Sequence, residues 1–253
     1  MRTHSRREPV ERAERRVEEA ARAAGVELVP VEGQDPDVVL VLGGDGTMLR
    51  ALRATLGTST PVLGINFGRV GFLTSAPGSD LDAALEHVFA GDFQVVELST
   101  LRARLGEGGH AAINDVVVTS ARPGRMVELG WELGGEQLGG QPCDGMICCT
   151  PSGSTAYNLS NGGPVMMWGL EAMAMTFVAP HSLHTRPLVV PRGLDLRVTN
   201  RAPEQPVTVL VDGHEVGALG PEDGLEVGVG SEKCRLALLP GVTFFSRYHN
   251  VFP

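Results

Sequence analysis

A short apolar run, Val38-Val39-Leu40-Val41-Leu42, leads straight into Gly43-Gly44-Asp45-Gly46-Thr47 and then Met48-Leu49-Arg50-Ala51-Leu52. The run is rich in β-branched residues and has no polar alternation, which predicts a parallel strand covered on both faces. Met48 and its followers are good helix formers, so a helix is expected within a residue or two of Gly46. The glycines between strand and helix let a ligand approach bare backbone, and the N–H groups that open the helix attract anions. That geometry suits a phosphate.

Asp45 does not suit a phosphate. Two unit charges about 4 Å apart interact by roughly 4 kcal/mol at an effective dielectric near 20, so a carboxylate in the cradle repels its ligand unless something compensates. Two compensations make chemical sense. One is a divalent cation between the charges; the other is a substrate hydroxyl whose proton the carboxylate accepts while the oxygen attacks phosphorus. An isolated Gly-Asp-Gly also serves as an Asx-type turn, so the remaining chain has to decide.

Before this motif, residues 9–24 carry apolar positions at helical spacing, with Glu8/Arg12 and Glu11/Arg15 as i,i+4 pairs on a solvated face and Gly25 as the stop. Residues 26–31 read as a strand. After the motif, residues 61–66 form another apolar strand, and a strand-helix-strand unit calls for a right-handed crossover in a parallel sheet. Its exit, Gly64-Ile65-Asn66-Phe67-Gly68-Arg69-Val70-Gly71-Phe72-Leu73-Thr74, is expected beside the first glycine loop, because ligands sit at the carboxyl ends of such strands. Residues 79–90 predict a helix with Ser79 as N-cap.

Past about Gln94 the texture changes. Strand-like runs recur at 93–105, 111–119, 126–133, 145–150, 194–200, 206–211, 225–229 and 234–239, with glycine or proline turns between them. The expectation is therefore an α/β N-terminal domain with a parallel sheet, residues 1–94, and a β-sandwich-like C-terminal domain, residues 95–240. Residues 241–253 form a tail. A cleft between two such domains is the default ligand site.

Two features interrupt the β-rich part. Asn114-Asp115 stands at the mouth of Val116-Val117-Val118. Further on, a strand ending at Thr150 meets Pro151-Ser152-Gly153-Ser154-Thr155-Ala156-Tyr157-Asn158-Leu159-Ser160-Asn161-Gly162-Gly163-Pro164, a hydroxyl-rich turn, a helical stretch and a stop, with Asp144 at the strand's other end. A purely structural turn would not need so many small hydroxyl residues. Val211-Asp212-Gly213-His214 reads as a type I′ hairpin.

Composition narrows the partners. A net charge of -9 and the lack of a basic, aromatic-interleaved patch argue against nucleic acid. No apolar run approaches the roughly 20 residues that span a bilayer, and the Arg/Glu-rich start lacks a signal-peptide core, so a cytoplasmic protein without membrane contact is expected. Cys143, Cys148, Cys149 and Cys234 lack metal-ligand spacing and read as buried thiols.

In this order, the motifs resemble those of NAD kinases. The resemblance is carried by Gly43 to Thr47, Gly64-Ile65-Asn66 with Gly68 and Gly71-Phe72-Leu73, Asn114-Asp115, Asp144-Gly145, Thr150 to Tyr157, Ser160 with Gly162-Gly163-Pro164, and Pro180-His181-Ser182-Leu183 with Arg186-Pro187-Leu188. The first motif is shared with diacylglycerol and sphingosine kinases; the Thr-Pro-Ser-Gly-Ser-Thr-Ala-Tyr run is the specific one. A lipid kinase and a non-catalytic NAD sensor are the alternatives.

The resemblance implies that the 2′-hydroxyl of the adenosine ribose of NAD is phosphorylated by ATP or polyphosphate with Mg²⁺, and that Asp45 is the base. It implies a nucleotide site drawn from Gly46, Arg50, Phe72, Asn114, Asp115, Asp144, Thr155, Ala156, Tyr157, Asn158, Leu159 and Ser160. Asp212 and His214 would close the site from a neighbouring subunit of a homodimer or homotetramer, and the tail would return to the first domain. Departures from the family pattern are Pro142 and Phe67 at places that are often basic, Met167-Trp168 where His-Pro is common, and only residues 1–5 for the opening strand.

Overall fold

The computed structural model describes residues 7–30, 35–68, 71–122, 124–202 and 204–252. The expected opening strand, Val31, and Arg69 and Val70 of the second glycine loop lie outside the described residues. The first elements are α1 (Arg7–Ala24), β1 (Val39–Leu42), α2 (Asp45–Ala54), β2 (Val62–Asn66), β3 (Ala76–Pro77) and α3 (Leu81–Phe89). There follow β4 (Gln94–Leu105), β5 (Gly108–Ala112), β6 (Asp115–Ser120), β7 (Val127–Leu133), β8 (Glu136–Cys143) and β9 (Gly145–Cys149). Then come α4 (Tyr157–Ser160), β10 (Ala172–Val178), β11 (Leu188–Pro191), β12 (Leu196–Asn200), β13 (Val207–Val211), β14 (His214–Leu219), β15 (Gly224–Leu238) and α5 (Phe244–Val251).

These elements divide into two compact units. Met1–Glu97 together with Cys234–Pro253 form one, and Leu98–Lys233 the other. In the first unit β1 pairs in parallel with β2, Val39 opposite Val62, and the end of β15 joins β2 in parallel at Leu236. Val62, Leu63 and Ile65 are fully buried, as a strand covered on both faces requires. Ala13 and Val17 of α1 and Leu81, Ala84, Leu85 and Val88 of α3 pack with Leu63 and Ile65 in one core. Gly25 ends α1 at φ 69, and the expected Glu8–Arg12 pair forms at 3.5 Å.

The second unit is a sandwich of antiparallel strands. One sheet runs β11-β10-β9-β6-β13-β14. Against it lie β7, paired with β8 and β12, and the first part of β15, paired with β12. Val116, Met146, Met173 and Val209 from the one face meet Leu129, Cys143, Val198 and Leu225 from the other in a shared core. All four cysteines are free and buried, and burial pushes the Cys143 and Cys149 thiols up to about 12.

Several local expectations need correction. Residues 26–30 form no strand; Pro30 cannot donate to a ladder and Leu28 is half exposed. Ser79 does not cap a helix, because its hydroxyl donates to Asp80 at 2.8 Å inside a 3₁₀ turn and α3 begins only at Leu81. The run 111–119 is two strands broken at Ile113 and Asn114, whereas 225–229 and 234–239 join as one 15-residue strand. Gly230 lets that strand continue past β4, since a Cβ there would lie 2.6 Å from the Thr100 hydroxyl.

Candidate active site

In the first unit β1 delivers the chain to Gly43 and Gly44, and α2 begins at Asp45 itself. Gly44 supplies no side-chain cap, so the first-turn N–H groups keep their pull on anions. Gly43 has no room for a side chain, since a Cβ would sit 2.7 Å from the Thr47 hydroxyl, while nothing lies within 4 Å of one at Gly46. The loop is tight beneath and open above Gly46.

The Asp45 carboxylate is fixed by the second glycine loop. Oδ2 accepts from the Phe72 N–H at 2.9 Å and Oδ1 from the Leu73 N–H at 3.2 Å. A Cβ on Gly71 would lie 2.2 Å from Oδ1, so this loop approaches as closely as it does because position 71 is glycine. Asn66 Oδ1 accepts from the Gly68 N–H at 2.7 Å and shapes the start of that loop. Each Asp45 oxygen spends one lone pair on a backbone N–H and retains another for a proton or a cation. Arg50 is exposed one turn along, with Nη2 3.4 Å from the Thr47 hydroxyl.

A cation that the sequence did not single out also belongs here. Arg247 of α5 is 7% exposed; burial pushes its guanidinium below its ordinary value, and the nearby Asp45 charge opposes that shift. Phe244 and Phe252 pack their rings on Phe72 at 6.2 and 5.8 Å, which seats α5 against the loop that holds Asp45.

In the second unit the break between β5 and β6 has a clear cause. Asp212 turns inward from the β13–β14 hairpin, and its carboxylate accepts from the N–H groups of Ile113 at 3.0 Å, Asn114 at 2.7 Å and Asp115 at 3.2 Å. The hairpin is of the expected type, with φ 48 at Asp212 and 78 at Gly213. Asp115 is 7% exposed beside it, and burial, then the charge of Asp212, push its carboxyl up to about 6. Asn114 Oδ1 is buried without a hydrogen-bond partner.

The hydroxyl-rich turn is stitched to the same place. The Thr150 hydroxyl donates to the Ile113 carbonyl at 2.6 Å and the Ser152 hydroxyl to that same oxygen at 3.0 Å. Gly153 comes so close that a Cβ would lie 2.0 Å from the Asn114 carbonyl. Asn158 is fully buried; its amide donates to the Ser154 and Pro164 carbonyls and accepts from the Thr176 hydroxyl at 2.7 Å, so the side chain holds the turn in shape. Thr155 to Ser160 is a 3₁₀ turn running into the short α4, with Tyr157 and Ser160 exposed and Thr155, Ala156 and Leu159 half-buried. Asp144 and His214 are exposed, and His214 Nδ1 lies 3.0 Å from the Asp212 carbonyl.

A carboxylate steered by two N–H groups at the mouth of an anion-attracting helix is the arrangement expected of a phosphate-transferring enzyme, a kinase. Residues 2–93 match the family model of the ATP-NAD kinase N-terminal domain and residues 113–239 that of the ATP-NAD kinase C-terminal domain. The chain is 41% identical to the NAD kinase of Heliobacterium modesticaldum, over 83% of this chain and 76% of that one. It is 40% identical to the NAD kinase of Moorella thermoacetica, over 87% and 70%. The crystal structure of an NAD kinase from Archaeoglobus fulgidus in complex with ATP superposes with a TM-score of 0.78 at 27% identity, over 94% of this chain and 92% of that one. Yeast NADH kinase complexed with NADH shares the fold, with a TM-score of 0.78 at 24% identity over 89% and 69%. The chain belongs to the NAD kinase family. The lipid-kinase and sensor alternatives find no support in these matches.

Proposed function

We propose that this chain transfers the terminal phosphoryl group of ATP to the 2′-hydroxyl of the adenosine ribose of NAD, with Asp45 as general base. The proton of the hydroxyl passes to the Asp45 carboxylate as the oxygen bonds to phosphorus; the bond from phosphorus to the bridging oxygen breaks, and ADP leaves with its electron pair. Polyphosphate serves the same chemistry. The observation that carries this reading is the two-point hold on Asp45 by the Phe72 and Leu73 N–H groups at the opening of α2.

Magnesium suits this donor set. It keeps several waters and binds through one or two carboxylates plus substrate phosphates, and Asp45 offers such a carboxylate where no cluster of three metal-ligating side chains occurs among the described residues. When bound with the donor it would neutralise charge on the phosphate oxygens. For NAD, the orphaned Asn114 Oδ1 is an acceptor awaiting a ligand N–H or O–H; Asp115 adjoins it, the turn packed on the Ile113 and Asn114 carbonyls leads into Thr155, Ala156, Tyr157, Leu159 and Ser160, and Asp144, at the opposite end of β9, would meet the ligand away from Asn114. Asn158 and Asp212 act through the backbone they hold. Gly46 leaves room for the donor, with Arg50 and Phe72 nearby. No helix among the described residues is long and apolar enough to cross a membrane; a cytoplasmic homodimer or homotetramer completes the reading, and light scattering on the purified protein measures its oligomeric state.

The test is a donor-by-acceptor matrix of NADP formation, with Asp45→Asn beside the wild type. Turnover should fall on the order of 10²- to 10⁴-fold with little change in NAD affinity. Equal turnover in both proteins would remove Asp45 from the role.

A further inference from the structure

Arg247 is a buried cation with unfilled hydrogen bonds. Its Nε and Nη2 are shielded from solvent and have no partner, although the residue is only 7% exposed. The nearby acid, Asp45, gives its oxygens to the Phe72 and Leu73 N–H groups. Burying a guanidinium whose donors are unmatched is costly, and a chain gains from keeping one where an anion arrives to match them.

The surroundings specify the anion. Helix α2 opens here without a side-chain cap, a Cβ on Gly46 would meet nothing within 4 Å, and the rings of Phe244 and Phe252 fix α5 on the Phe72 loop. A helix N-terminus and a guanidinium fork are both complementary to phosphate oxygens. We infer that Arg247 is a donor-binding residue, whose guanidinium takes oxygens of the phosphate chain of the phosphoryl donor, with a small shift of the side chain uncovering Nε and Nη2 as the donor binds. It is then a third compensation for Asp45: the positive charge on α5 lets a carboxylate and a phosphate share one cradle. The identity of the ligand rests on the kinase reading above.

Arg247→Met and Arg247→Lys test this, with isothermal titration of magnesium tripolyphosphate, steady-state kinetics with MgATP and NAD, and melting of the ligand-free proteins. The methionine removes the charge and keeps much of the volume. Expected are a rise of roughly 10- to 100-fold in tripolyphosphate Kd and in KM for ATP, an NAD KM within about twofold, and a melting temperature equal to or above that of the wild type. Arg247→Lys should recover part of the donor affinity, since it restores charge without the fork. Donor affinity unchanged, or a loss in kcat alone, overturns the inference. So does a methionine variant that melts lower or does not fold, because the arginine would then be a structural support. If the wild type binds tripolyphosphate but makes no NADP, the kinase reading fails while the Arg247 comparison still stands on the titration.

Discussion

Asp115→Asn should stabilise the protein at neutral pH and do nothing at pH 4. Asp115 starts β6 with 7% of its surface exposed, and burial, followed by the Asp212 charge, raises its carboxyl from 3.8 to about 6. A carboxyl raised in the folded state contributes stability that is fully present below its unfolded value and is lost as pH rises through the folded one. The window is therefore about pH 4 to 6, and the cost is complete above it. A rise of about two pH units at roughly 1.4 kcal/mol each gives about 3 kcal/mol. Asparagine keeps the shape and carries no charge, so above pH 6 the variant should gain up to about 3 kcal/mol, or roughly 6 to 12 °C in Tm for a chain of this size. The assay is thermal melting by circular dichroism at half-unit steps from pH 4 to 8 for both proteins. The quantity read is the difference in Tm between them, which should open between pH 4 and 6. A difference that is flat with pH, or that widens as pH falls, refutes the argument that Asp115 is held against its own ionisation.

Two other substitutions probe the contacts that hold the site. Gly71→Ala places a methyl where Asp45 Oδ1 lies 2.2 Å away, so the carboxylate must move; kcat should fall at least about 10²-fold with NAD KM little changed, and steady-state kinetics with full activity would discount the loop's role. Asp212→Ala strips the acceptor from three consecutive N–H groups and leaves alanine at φ 48, for a loss of about 3 to 5 kcal/mol in urea unfolding, less for Asp212→Asn. An unchanged midpoint would mean the carboxylate is not holding that bend.

What could be read from the chain was what its local chemistry determines. The apolar run before Gly43 and the helix formers after Thr47 specify a strand, a turn and a helix within fifteen residues or so, with no distant partner needed. Asp212-Gly213 announces its hairpin in the same way, because a type I′ turn demands positive φ at two adjacent positions. Strand β8 leaves no signature in the sequence because it is exposed along most of its length and carries Gly139 and Gly140, so no alternation marks it. The break at Ile113 and Asn114 was hidden in an apolar run, since its cause is a carboxylate about a hundred residues away. Arg247 is hidden for a related reason: Phe-Phe-Ser-Arg-Tyr-His reads as one more amphipathic turn, and the burial of its arginine is decided by tertiary packing, in which Phe244 and Phe252 meet Phe72. Side chains whose work is done through long-range contacts leave no local pattern.

Because residues 234–252 belong with residues before 98, the first unit is assembled from two separated lengths of polypeptide. During translation the intervening sandwich emerges from the ribosome in one piece and can settle early. The Gly43–Gly46 loop must wait for Leu236 to line up beside Val62 and for α5 to reach the Phe72 loop. Synthesis thus runs a clock on activity: a half-made chain carries the whole Asp45 motif yet lacks the cation meant to sit beside it.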